Sequence, residues 1–144
     1  MKIKFFVPGK VQPGGSKRAF YIKKIGRTVV TDANKNVGGW KKTVKECAKR
    51  AYSGELLEGP LLVLCKFFIL RPRSHYRSGK NSHLLKDSAP LYPQSKPDAT
   101  KLWRSTEDAI SGAIWKDDAQ IVKQIIMKRY GTRQGALIKI VEIL

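Results

Sequence analysis

At 144 residues, with 42% hydrophobic and 28% charged positions, the chain has the length and composition of one soluble globular domain, not of a disordered tail or a two-domain protein. Lys and Arg number 29 against 11 Asp and Glu, a net charge of +18 that disfavours the compact state by self-repulsion and therefore implies a polyanionic partner. Nucleic acid fits better than a membrane surface: the cations run along the whole chain, and no apolar run approaches the ~18 residues of a membrane span.

The opening MKIKFFVPGK has too few apolar residues before Pro8 and Gly9 for a signal peptide, so a cytoplasmic location is expected. Within it Lys2 to Val7 alternates as a half-buried strand does, with Ile3, Phe5 and Val7 on one side. From Pro8 to Thr31 the chain is rich in Gly, Lys and Arg, which predicts a loop or loose hairpin. There Lys17 and Arg18 can meet phosphates and Phe20 or Tyr21 can stack on a base; the plain alternative is a hairpin with solvated lysines. Trp40, Val44, Cys47, Ala48 and Ala51 recur at helical spacing, predicting a helix from about Val37 to Tyr52 with Lys41, Lys42, Lys45, Lys49 and Arg50 outward. The run LLVLCKFFIL after Pro60 is apolar on one face and carries only Lys66 as a charge, the signature of a central strand.

Arg71 to Lys96 is long, polar and basic, as functional loops often are. It holds Arg71, Arg73, His75, Tyr76, Arg77, Lys80, Lys86 and Lys96 as candidate DNA contacts. His75 and His83 invite an HNH-type nuclease finger, but no strand pair, turn and helix surround them. Apolar positions from Ala99 to Ile114 keep the helical period, so a helix is expected over Asp98 to Trp115 with Asp98 at its N-cap. Strands over Ala119 to Tyr130 and Ala136 to Leu144 close the chain. The order predicts an α+β (mixed α/β) fold, a single domain over 1–144, with about four strands in a sheet and two main helices packed on it. Cys47 and Cys65 lack metal-binding spacing and read as small buried apolar residues.

Five of the eleven acids, Asp98, Glu107, Asp108, Asp117 and Asp118, fall within 21 residues. Gathered carboxylates repel one another unless a cation relieves them, and Mg²⁺, which prefers hard oxygen donors and accepts phosphate oxygens, is suited to do so. Asp98 and Asp108 are separated by a helix rise of about 15 Å, too far for one ion, whereas the turn at Trp115 and Lys116 can return Asp117 and Asp118 beside a helix end. In extended chain only one of that pair faces a site. The plain alternatives are an N-cap for Asp98 and a solvated turn for the pair.

The segment KPDATKLWRSTEDAISGAIWKDDAQIV, residues 96–122, resembles the signature of the RusA family of Holliday junction resolvases, through Lys96, Pro97, Asp98, Leu102, Asp108, Ala109, Trp115, Asp117, Asp118, Gln120 and Val122. The opening VPGKVQPGGSKR and the loop LRPRSHYRSGKNSHLLKDSAP are similar to phage and prophage members. The resemblance implies a homodimeric, Mg²⁺-dependent endonuclease of DNA recombination and repair, with Mn²⁺ able to substitute and no small-molecule cofactor or membrane partner. Such an enzyme nicks opposed strands of four-way DNA junctions symmetrically. By motif position Asp98 and Asp118 correspond to the family's first and last catalytic aspartates and metal ligands, with Asp117 beside the latter. Arg104 falls where the family carries a functionally important lysine. The family pattern Asp-x-Asp-Asn reads here Asp98-Ala99-Thr100-Lys101. Thr100 offers the metal a neutral oxygen in place of a carboxylate, and Lys101 brings a cation into the catalytic group. The alternative reading is a non-catalytic junction-binding protein whose metal site has degenerated.

Overall fold

The computed structural model describes residues 1–15 and 17–144; Ser16, which falls within the motif VPGKVQPGGSKR, lies outside the described residues. Four strands form the main sheet: β1 (Lys2–Pro8), β4 (Leu61–Ile69), β5 (Ile121–Tyr130) and β6 (Gly135–Glu142), in the order β1-β6-β4-β5. β6 pairs antiparallel with both β1 and β4, while β4 and β5 run parallel. β2 (Lys17–Ile22) and β3 (Arg27–Asp32) make a separate two-stranded hairpin, and α1 (Val37–Ala51) and α2 (Ala99–Ile110) complete the α+β domain.

β4 lies inside the sheet, as its apolar run predicts. Val63, Cys65 and Phe67 are fully buried beneath the helices, and Leu62, Leu64 and Phe68 on the other face are half-buried. Ile3 and Val7 of β1, Ala136, Ile138 and Ile140 of β6, Trp40, Val44 and Ala48 of α1, and Leu102, Trp103 and Ile110 of α2 close one core between sheet and helices. Within it the Trp40 indole N–H donates to Thr106 Oγ1 at 3.1 Å, and the Thr106 hydroxyl donates to Leu102 O at 2.8 Å. The two helices are thus joined by a satisfied polar pair, whose loss would leave a buried donor unpaired at about 1–3 kcal/mol. Among the described residues no helix is long and apolar enough to cross a membrane.

Three expectations shift. α2 ends at Ile110, five residues short of Trp115, because Gly112 takes φ +80°, a left-handed conformation that stops the helix. Ala113, Ile114 and Trp115 are nevertheless buried, so their apolar spacing reflects core contact and not helix. β5 begins at Ile121, since Asp118–Gln120 forms a single turn of 3₁₀ helix, and Cys47 is half-buried where full burial was expected. The Arg71–Lys96 segment contains two further 3₁₀ turns and a bridge between Tyr76 and Leu85.

Candidate active site

The motif that carries the resemblance folds into a β4–α2–β5 crossover. Parallel strands need such a connection, and it returns α2 antiparallel to β5. Three contacts fix that alignment. Lys128 Nζ donates to Ser95 O (2.8 Å) and Pro97 O (3.0 Å) just ahead of α2. The Trp103 indole donates to Gln124 Oε1 (2.9 Å) midway. Glu107 near the end of α2 meets Asp118 just ahead of β5.

Asp98 stands at the N-cap as expected, but its side chain makes no capping hydrogen bond and is exposed. It borders a cavity of about 340 Å³ that Asp32, Asn34, Lys96 and Lys101 also line. Asp32 comes from the end of the hairpin, and its hydrogen bond with Lys17 holds the carboxyl below its usual range. Thr100, Lys101 and Arg104 share this end of α2 and are exposed. The Arg104 side chain lies against Gly15, where φ is +87° and a Cβ would come within 2.5 Å of Arg104 Cδ.

At the other end, Trp115 is fully buried and donates its indole N–H to Asp118 Oδ1 at 2.7 Å. Asp117 turns away: its carboxylate accepts from the Ala119 N–H at 2.8 Å and caps the 3₁₀ turn. Gln120 staples the turn to the segment before β4. Its Oε1 accepts from the Asp117 and Lys116 N–H groups (2.7 and 3.0 Å), and its Nε2 donates to Leu57 O and Gly59 O (2.8 and 3.0 Å). Of the Asp-Asp pair, only Asp118 is therefore aimed at the helix. Glu107 is half-buried there, and burial, followed by the neighbouring Asp118 charge, pushes its carboxyl up to about 7, against a partial offset from the Trp103 indole.

The expectation that Asp98 and Asp118 hold one ion meets an obstacle within a single chain. Nine residues of helix separate Asp98 from Glu107, a rise of about 13 Å. Among the described residues no group of three His, Cys, Asp or Glu side chains comes together to hold a metal. The turn does return Asp118 beside a helix end, but the parallel crossover makes it the C-terminal end. Asp108 lies off both groups and faces Lys41 of α1 at 3.5 Å. Sequence reasoning missed Glu107 as a site residue, although it follows Trp103 by one helical turn and so shares the β5-facing side. It also missed Asp32 and Asn34, for which no sequence signal existed, since the path of the hairpin sets their approach to Asp98.

The basic segment divides by role. Arg71 lies 4.3 Å from the Tyr130 ring centroid and donates to Pro90 O at 2.7 Å, and the His75 ring meets Tyr130 edge-on at 5.5 Å. Arg77 donates to Leu85 O and Asp87. These side chains, with Tyr76 at the bridge to Leu85, hold the loop in shape. Arg73, Lys80 and Lys86 are exposed, and Arg71, Arg73, Arg77 and Lys86 line an open basic depression of about 800 Å³. Lys17 and Arg18 are exposed on the hairpin and Lys96 at the Asp98 cavity.

A search of curated proteins returned no match to the chain. The family model described as endodeoxyribonuclease RusA matches residues 10–141, a span that takes in the hairpin, both helices, the basic loop and the whole Asp98–Asp118 unit. The chain belongs to the RusA family of Holliday junction-resolving endodeoxyribonucleases.

Proposed function

We propose that this nuclease works on branched DNA as a homodimer, with Mg²⁺ (or Mn²⁺) held between Asp98 of one copy and Asp118 of the other. The observation that carries this reading is the placement of the two aspartates at opposite ends of α2. Carboxylate oxygens are the hard donors that Mg²⁺ prefers, so each end suits the ion chemically, but one chain does not gather enough of them. A two-fold dimer repeats both half-sites and matches a substrate of two-fold symmetry. When bound, the ion would supply charge stabilisation at the scissile phosphate.

The residues of the chain do the rest. Trp115 orients Asp118, and burial beside it lets Glu107 hold a proton up to about neutral pH. Thr100 adds a neutral oxygen near Asp98, and Asp117 stabilises the turn that presents Asp118. Lys101 and Arg104, exposed on the first turns of α2, reach toward a phosphate. Exposed Lys17, Arg18, Arg73, Lys80, Lys86 and Lys96 offer cations to the DNA, Arg71, His75, Tyr76 and Arg77 shape the loop that presents them, and the exposed Phe20 and Tyr21 of the hairpin offer rings for an unpaired base.

Mixing two inactive variants tests this directly. Asp98→Asn and Asp118→Asn should each fail to nick a synthetic four-way junction in Mg²⁺. Because a mixed dimer keeps one intact pair, co-folding them should restore about a quarter of wild-type nicking, one strand at a time. Mixtures as inactive as their components would reject the shared site.

A further inference from the structure

We propose that the open cavity between the end of the β4–β5 pair and the basic loop seats an unpaired nucleobase. The substrate taken there is branched DNA that carries a single-stranded segment at the branch. The proposal rests on the reading of the loop as a DNA surface; it needs neither the shared ion nor the dimer.

The cavity holds about 600 Å³, within the range of small-ligand sites, and Tyr76, Tyr92 and Tyr130 line it together with Leu70 and Leu91. Its floor is fixed. Ile69 pairs with Tyr130 where β4 and β5 end, and the Gly131 N–H donates to Ile69 O at 3.0 Å. Arg71 ties the loop side down, since it lies over the Tyr130 ring and donates to the carbonyl of Pro90, the residue before Leu91 and Tyr92. Leu91 and Tyr92 are nevertheless 73% and 55% exposed, and Leu70 across from them is exposed too. Large apolar side chains held in solvent around one hollow mark an interaction surface.

Charge and shape select the occupant. Arg71 and Arg129 line the same cavity, and Arg71 and Tyr76 continue into the basic depression that Arg73 and Lys86 line. Among the described residues no acid lines either hollow. An apolar peptide would leave these cations without partners, and a bare phosphate would leave the tyrosines and leucines unused. A nucleotide with a free base suits both, because the base face stacks on an aromatic ring while its phosphates meet the cations. A paired base does not enter, since its faces are already stacked on its neighbours in the duplex.

The location joins this cavity to the Asp98 end of the candidate site. Leu70 also lines an apolar cavity of about 260 Å³ that Pro97 shares, and Pro97 in turn borders the cavity at Asp98. Lys128, two residues before Tyr130 on β5, holds Ser95 O and Pro97 O. Adjoining hollows therefore form a track from Asp98 past the tyrosines to the basic depression, the path for a strand that leaves the scissile phosphate.

Three junctions of identical sequence test this without metal: one fully paired, one with a short oligothymidylate tail at the branch, and one with an abasic tail of the same length. Wild type should bind the oligothymidylate tail at least about fivefold more tightly than the abasic tail, the low end of what stacking one base on a ring supplies. Tyr92→Ala should erase that difference and Tyr92→Trp should keep it. Affinity of Tyr92→Ala for the fully paired junction, and its salt slope, should match wild type, because the ring neutralises no phosphate. A 2-aminopurine placed in the tail should lose fluorescence on binding wild type and keep it on binding Tyr92→Ala. Leu91→Asp, a change at a 73% exposed position that sets an anion in the cavity, should also erase the difference and decides the matter if Tyr92→Ala fails to fold. Equal affinity of wild type for the two tails would overturn the proposal, and so would a difference that survives Tyr92→Ala, which would place the base elsewhere, as on the hairpin rings. Normal junction binding without a preference between tails rejects the base site and keeps the loop as a DNA surface; failure to bind any of the three junctions rejects both.

Discussion

The indole N–H of Trp115 donates to Asp118 Oδ1 at 2.7 Å from within the core, so the orientation of a surface carboxylate is set by a fully buried ring. Trp115→Phe keeps most of the packing and removes the donor. A hydrogen bond to a charged acceptor is worth about 1.5–3 kcal/mol, so the variant should melt several degrees lower. It should also need more Mg²⁺ for half-maximal nicking while binding a junction normally without metal. A metal titration unchanged from wild type would show that Asp118 needs no orienting partner.

Asp98→Asn and Asp118→Asn should abolish nicking and leave junction affinity equal or slightly higher, because each removes an anion that faces phosphates. Asp108→Asn should be mild: its partner is Lys41 at 3.5 Å on an exposed flank, and exposed pairs contribute about 0–1 kcal/mol. Equal losses in all three, together with lowered melting temperatures, would mean that these acids serve the fold.

Thr100→Asp returns a second carboxylate to the first turn of α2, where the helix dipole favours negative charge by about 0.3–1 kcal/mol. The Mg²⁺ concentration for half-maximal nicking should fall, and stability should not. Pairing with exposed Lys101 or Arg104 is the competing outcome, but an exposed pair is too weak to hold the new charge against a divalent ion. An unchanged metal requirement would put Thr100 away from the ion.

Glu107 gives the metal-free protein a pH dependence of definite sign. Its folded carboxyl titrates at about 7 against an ordinary 4.5, so the folded state binds this proton more tightly than the unfolded state does. The resulting stabilisation is fully present below about 4.5 and is lost as pH rises to about 7. Glu107→Gln should therefore raise the melting temperature at pH 8 and change it little at pH 4. With the group half in solvent, about 1 kcal/mol is the expected size. Equal melting curves for the two proteins at pH 8 would contradict the upward shift that burial, and then the Asp118 charge, impose on Glu107.

Junction binding should weaken as a power of salt concentration, since each neutralised phosphate releases condensed counterion. Arg73→Ala, Lys80→Ala and Lys86→Ala should each lower affinity and reduce the slope of log affinity against log salt by about one. Arg71→Ala should act differently, by loosening the loop that its contacts with Tyr130 and Pro90 hold. Salt slopes unaltered in all the loop variants would move the DNA elsewhere.

Much of the fold was legible because it depends on local periodicity. The alternation of β1, the apolar run of β4 and the Trp40–Val44–Ala48 stripe of α1 each announce both an element and its buried face. The end of α2 was not, because Ala113 and Ile114 keep an apolar spacing beyond the glycine that breaks the helix. The acids of the site could be named from the motif, but their grouping could not. Whether Asp118 returns to the first or the last turn of α2 depends on the parallel pairing of β4 with β5, a relation between segments about sixty residues apart that spacing along the chain does not encode. The same holds for Asp32 beside Asp98, which depends on the path of the hairpin.

The twelve residues of α2 act as a spacer of fixed length, about 18 Å from end to end. One added turn would lengthen it by about 5.4 Å and change the separation of Asp98 and Asp118 by as much. By contrast, doubling the length of the Arg71–Lys96 loop costs only about 0.6 kcal/mol in closure entropy and leaves that spacing untouched. Length variation in this protein should therefore be tolerated between β4 and α2 and rejected between Asp98 and Asp118.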